Sequence, residues 1–146
     1  MMLSRRTPPT ERLIVGISGA SGVIHGIRLL EVAQGIEGVE SHAILSNAAK
    51  RTIDLETDWT VARVEELADR CYRVNDIAAA VASGSFRASA MVVAPCSMKT
   101  LSGIANSYAD TLLIRAAEVT LKERRPLVLV PRETPLHLGH LRLLVR

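Results

Sequence analysis

The chain's chemistry-bearing residues fall mainly where apolar runs end. Ser18-Gly19-Ala20-Ser21-Gly22 joins the run Leu13-Ile14-Val15-Gly16-Ile17 to a helical pattern over 23–30. Small residues at such a strand-to-helix turn let the backbone approach a ligand. The unpaired N–H groups and dipole of the next helix favour an anion there. Ser21 adds a hydroxyl, either as a helix cap or as a ligand contact. The glycines at 16, 19, 22 and 26 do not make the dinucleotide pattern G-x-G-x-x-G, and no lysine follows as in a Walker A loop. Taken alone, the turn is equally an anion site or a capped connection.

Other run ends carry similar groups. Ser46 closes a strand expected over 40–46, and Glu56-Thr57-Asp58 follows a helix expected over 48–55. Cys96-Ser97-Met98-Lys99-Thr100 follows the strand 90–95, with Ser97 able to cap the next helix. Pro131-Arg132-Glu133-Thr134-Pro135 follows the strand 127–130. In open α/β sheets ligands bind outside the carboxyl ends of strands, so these segments belong to one candidate edge. A helix over 110–125 puts Arg115, Glu118 and Lys122 on one side. By itself that stripe is a solvated face, and 82–85 is a plain connector. Cys96 has no basic neighbour in sequence and suits a buried structural role. His137 and His140 lack a third partner for a metal.

A length of 146 residues suits one core. Aromatics are only 3% of a chain that is 48% hydrophobic, so that core is aliphatic. Doubly covered parallel strands have this composition. A helix over 60–69, a short strand over 71–74 and an alanine-rich helix over 76–81 complete the expected elements. Residues 1–10 form a disordered lead-in ending at Pro8-Pro9. Net charge is +3, and 15 of 18 basic residues are arginine, without the aromatic platform or basic stripe that nucleic-acid binding needs. Arginine does suit a small phosphorylated ligand. Two unpatterned cysteines and no signal-like or membrane-length run point to a reduced, cytoplasmic setting.

Four blocks together closely resemble the UbiX-type flavin prenyltransferases: Gly16-Ile17-Ser18-Gly19-Ala20-Ser21-Gly22, Leu55-Glu56-Thr57-Asp58, the segment 95–103 and the segment 121–135. The resemblance runs from about Arg12 to Leu144. It implies a Rossmann-like (flavodoxin-like) parallel sheet with helices on both faces, in one domain over 11–146. It also implies an enzyme that binds FMN and attaches a dimethylallyl group from dimethylallyl monophosphate to the flavin ring without a metal. Prenylated FMN then serves a UbiD-type decarboxylase, in ubiquinone synthesis or aromatic degradation, and the makers were long labelled aromatic acid decarboxylases. The family assembles as trimers packed into a homododecamer, with the site where subunits meet.

Carried over by position, Gly19, Ala20, Ser21, Ser46, Ser97, Met98, Lys99, Thr100 and Arg132 resemble the FMN contacts. Arg115, Lys122 and Arg132 resemble the phosphate contacts of the prenyl donor. Ser21, Glu56, Lys122 and Glu133 resemble the catalytic set, with Glu133 protonating the leaving phosphate and Glu56 with Ser21 relaying protons about the flavin. The family's pattern continues into a further strand, a tyrosine loop, an arginine and a helix. The expectation is therefore a C-terminally truncated domain with an exposed sheet edge. Two alternatives stand beside this reading: a non-catalytic FMN-binding or assembly subunit, and a flavin-dependent cysteine decarboxylase relative. The latter is disfavoured because Lys50, Arg51 and Glu56 occupy the helix that would carry its histidine.

Overall fold

The computed structural model describes residues 11–146, so the lead-in expected over 1–10 lies outside the described residues. Among the described residues, five parallel strands make one sheet in the order β3-β2-β1-β4-β5. They are β1 (Glu11–Ile17), β2 (Val39–Leu45), β3 (Arg70–Tyr72), β4 (Ala90–Cys96) and β5 (Leu127–Pro131). The helices are α1 (Val23–Gln34), α2 (Asn47–Glu56), α3 (Val61–Leu67), α4 (Met98–Ala105), α5 (Leu112–Lys122) and α6 (Leu138–Val145).

Alternation along the central strands divides the core in two. Val15, Ile17, Ala43 and Leu45 pack with α1, α2 and α3 on one face, while Ile14, Ile44, Met91 and Val93 pack with α4 and α5 on the other. Helices thus cover both faces, as the aliphatic composition required. Because the chain leaves β1 toward β2 on one side and reaches β4 on the other, the switch in strand order lies between β1 and β4. That is where a crevice opens at the carboxyl edge of such a sheet.

The expected elements are found with small shifts at their ends, except over 76–81. There the alanines do not make an α-helix: turns lead into a single 3-10 turn at Ala80–Ala82. The cause is local. Asp76 accepts the Ala78 N–H on its side chain at 3.2 Å and the Ala79 N–H on its carbonyl at 3.1 Å, which closes a tight turn in place of a helical ladder. β5 pairs only with β4, and Val128 and Val130 on it are exposed; α6 buries none of its residues fully. Among the described residues no helix is long and apolar enough to cross a membrane.

One buried polar cluster supports the β2 edge. His42 is 2% exposed, its Nδ1 lies 2.9 Å from the Tyr72 hydroxyl, and Phe86 meets its ring edge-on. Its Nε2 sits 2.7 Å from a Glu40 carboxylate oxygen but off the line of a good hydrogen bond, so Glu40 acts on it mainly through charge. Burial outweighs Glu40 and holds the His42 pKa below its ordinary value. An unfolded chain then binds a proton at His42 that the folded one does not, so stability rises with pH through this window. Denaturant titrations should show stability falling as pH drops below about 6.5 and levelling off once the folded imidazole also protonates. His42→Gln should flatten that slope.

Candidate flavin and phosphate site

The carboxyl edge of the sheet is stitched together by main-chain bonds. Ser18 is buried just past β1. Its N–H donates to the Pro95 carbonyl at 3.2 Å, its hydroxyl donates to the same carbonyl at 2.8 Å, and its oxygen accepts the Ser97 N–H at 2.7 Å. The Ser46 N–H donates to the Ile17 carbonyl at 3.0 Å, and the Arg132 N–H to the Cys96 carbonyl at 3.1 Å. The loops after β2, β1, β4 and β5 are therefore tied in that order along one edge. In the sequence Ser18 is only one residue of the motif 16–22. Its signal was a hydroxyl at the end of an otherwise apolar strand.

Three helices start on this edge. Ser46 caps α2 by accepting the Ala49 N–H, and Ser97 caps α4 by accepting the Thr100 N–H while donating to the Thr100 hydroxyl. Gly19 packs so tightly on the first turn of α2 that a Cβ would overlap Ala48, which brings the two loops together. Ser21 does not cap α1. Gly22 does so in a left-handed conformation at φ 96°, without a side-chain bond.

The missing acceptor comes from another element. At the end of α2, Glu56 accepts the Gly22 N–H at 3.0 Å on Oε2. The nearby Ser21 hydroxyl and Val23 N–H also favour its charged form, and the Arg132 guanidinium adds its field. These contacts, the Gly22 N–H foremost, hold the Glu56 pKa below the usual carboxylate range. Glu133 follows Arg132 on the exposed β5 loop, where its carboxylate accepts the Thr134 N–H at 3.1 Å. Lys99 is exposed and Met98 half-buried on the first turn of α4, and Thr100 is buried. Ala20 is buried behind the turn. The edge thus offers helix N-termini, hydroxyls and two cations, a donor set that fits a phosphate monoester.

Lys122 is not on this edge of the same chain, and Arg115, in the first turn of α5, is committed to Ala82 and Glu118. Lys122 ends α5, and the chain then enters β5 at its amino end, whereas Arg132 leaves β5 at its carboxyl end. Five strand residues put roughly 16 Å between those ends. Near Lys122 lies the loop leading into β4. Arg115 Nε donates to the Ala82 carbonyl at 3.2 Å and NH1 pairs with Glu118 at 2.8 Å, while Lys122 Nζ pairs with Glu123 at 2.6 Å. Spacing along α5 correctly put these cations on one side. It could not tell which end of the sheet that side faces.

Cys96 is fully buried, its thiol pushed up to about 12 by burial, so it is not a nucleophile at neutral pH. His137 and His140 stack at 3.5 Å and cap α6 reciprocally. Among the described residues no group of three or more His, Cys, Asp or Glu could hold a metal ion.

A doubly covered parallel sheet whose switch-point edge presents phosphate donors defines a flavoprotein-type α/β domain, and residues 2–144 match the Flavoprotein family. Flavin prenyltransferase UbiX of Escherichia coli strain K12 is 59% identical over 136 residues, which span 93% of this chain and 72% of that protein. The Thauera aromatica enzyme of the same name is 58% identical, over 92% of this chain and 69% of its own. The chain belongs to the UbiX-type flavin prenyltransferases within that family. Among solved structures, AnUbiX (PadA1) in complex with FMN and dimethylallyl pyrophosphate superposes with a TM-score of 0.91 at 48% identity, covering 92% of this chain and 71% of that one. A dodecameric FMN-dependent UbiX-like decarboxylase from Escherichia coli O157:H7 gives 0.91 at 50%, covering 92% and 73%. The cysteine decarboxylase TvaF, 17% identical with a TM-score of 0.73, shares the fold alone.

Two measurements test this geometry. Ser18→Ala, which removes the hydroxyl joining β1 to β4, should cost about 1–3 kcal/mol in denaturant unfolding. Carbon-13 titration of Glu56 should find a midpoint below that of an exposed glutamate, and Ser21→Ala should move it upward.

Proposed function

We propose that this chain transfers a dimethylallyl group from dimethylallyl monophosphate to reduced FMN, giving the prenylated FMN used by a UbiD-type decarboxylase. The observation that carries the reading is the Glu56 carboxylate held on the Gly22 N–H at 3.0 Å, beside Ser21 and in the field of Arg132 at the switch-point edge, in a chain 59% identical to a flavin prenyltransferase. Bound FMN supplies the ring that accepts the prenyl group.

In this reading Gly19, Ala20 and Ser21, with Ser46 and the first turn of α4 from Ser97 to Thr100, cradle the FMN. Lys99 and Arg132 neutralise its phosphate. Ser21 and Glu56, neighbours at the start of α1, move a proton at the flavin edge. Glu133 beside Arg132 delivers a proton to the departing phosphate. Cations in place of magnesium stabilise the charge that develops as the carbon–oxygen bond breaks.

Lys122 closes α5 where the chain enters the amino end of β5, so it joins this cradle from a second copy of the chain; Arg115, in the first turn of α5, is assigned to the same phosphate. The dodecameric relative supports assembly of that kind. A cytoplasmic setting and a single flavoprotein domain over 11–146 are parts of the same proposal.

Incubation with reduced FMN and dimethylallyl monophosphate should yield a flavin of increased mass and shifted spectrum. Bound but unaltered FMN would instead favour the carrier or assembly role. The diphosphate donor should be tried in parallel, since the AnUbiX complex holds it. Lys122→Ala should lower kcat/KM for the prenyl donor by about a hundredfold or more and leave FMN affinity intact.

A further inference from the structure

The loop entering β4 looks like a connector in sequence, yet every second carbonyl along it is held by an arginine. Arg115 Nε donates to the Ala82 carbonyl at 3.2 Å. Arg125 NH2 donates to the Gly84 carbonyl at 2.9 Å and NH1 to the Phe86 carbonyl at 2.7 Å. Phe86 is fixed in turn, its ring lying under the Arg12 guanidinium at 4.9 Å and against His42. The strap 82–86 is thus clamped at both ends.

Its middle touches the Lys122 ammonium. A methyl group built on Gly84 would come within 3.0 Å of Lys122 Nζ and inside contact distance of the Glu123 carboxylate. Gly84 is not among the residues with positive φ, so no left-handed backbone demands a glycine there. What a side chain would disturb is the Lys122–Glu123 pair lying on the bare strap.

We infer that the strap is a positioning device for Lys122. Gly84 is the surface that sets the ammonium, and Arg125 is the clamp that holds Gly84 in place. The inference rests on the reading of Lys122 as a contact to the donor's phosphate. A lysine side chain carries about 2 kcal/mol of rotamer entropy, and a surface that restricts it before the substrate arrives lowers the cost of ordering it. Saturating the strap's carbonyls with guanidinium donors also engages their negative poles near an incoming phosphate. Arg125, spent on two carbonyls, is then a positioning residue and not itself a phosphate ligand.

Gly84→Ala tests this role because what it crowds are the flexible ends of two paired side chains, Glu123 Oε1 first and Lys122 Nζ with it, and no backbone. In the prenyltransferase assay it should raise the KM for dimethylallyl monophosphate about tenfold with a smaller change in kcat, while Tm stays within about 2 °C. FMN affinity, read by fluorescence quenching, should not change. Arg125→Gln should move KM the same way. In a Lys122→Ala background the Gly84→Ala step should add less than about twofold, since the group it displaces is gone.

A donor KM for Gly84→Ala at the wild-type value overturns the inference. So does an equal penalty with and without Lys122. If Lys122→Ala alone leaves the donor KM unchanged, the phosphate reading of Lys122 falls and takes the inference with it. A normal Lys122→Ala penalty beside a silent Gly84→Ala sinks the positioning role alone.

Discussion

The site depends on the tie that Ser18 makes across the sheet. A side chain buried between two parallel strands normally wants to be apolar, yet this one satisfies a carbonyl of β4 and the N–H of Ser97 just past it. A parallel sheet diverges at its switch point, because neighbouring strands send their helices to opposite faces. With β1 and β4 latched by a hydroxyl at that point, the turn after β1 and the first turn of α4 keep a common height. The bonds from Ser46 to Ile17 and from Arg132 to Cys96 extend this level edge on either side. Loops distant in sequence become one rigid rim.

On that rim, electrostatics uses the same groups twice. The start of α1 lacks a capping side chain of its own, and Glu56 fills the role from the end of α2. Its carboxylate is stabilised by the helix start and by Arg132. The contact packs α2 against the turn after β1 and leaves an ionised oxygen beside the Ser21 hydroxyl. A structural cap and a proton acceptor are here one residue.

Much of this was legible in the sequence because the signals were local. Strand runs of aliphatic residues, the Ser46 and Ser97 caps, and the glycine-spaced turn each reveal themselves within a few residues. The motif blocks identified the family. Misreadings arose where a distant partner decides. Alanines over 76–81 favour a helix, but Asp76 diverts their N–H groups into a turn. The stretch 82–85 reads as a connector because the arginines that grip it lie more than thirty residues away. The side that Arg115 and Lys122 share was readable from helical spacing. Which rim of the sheet Lys122 approaches depends on where α5 feeds β5, a matter of topology.

The separation of Lys122 from the Ser21 rim along the axis of a single molecule has a bearing on how such a protein behaves at low abundance. Where the reading of a shared site holds, an isolated protomer keeps its flavin cradle and lacks the cations opposite it. Turnover per molecule then fades on dilution faster than flavin retention does. The cell's supply of product becomes sensitive to the expression level of the gene, beyond simple proportionality.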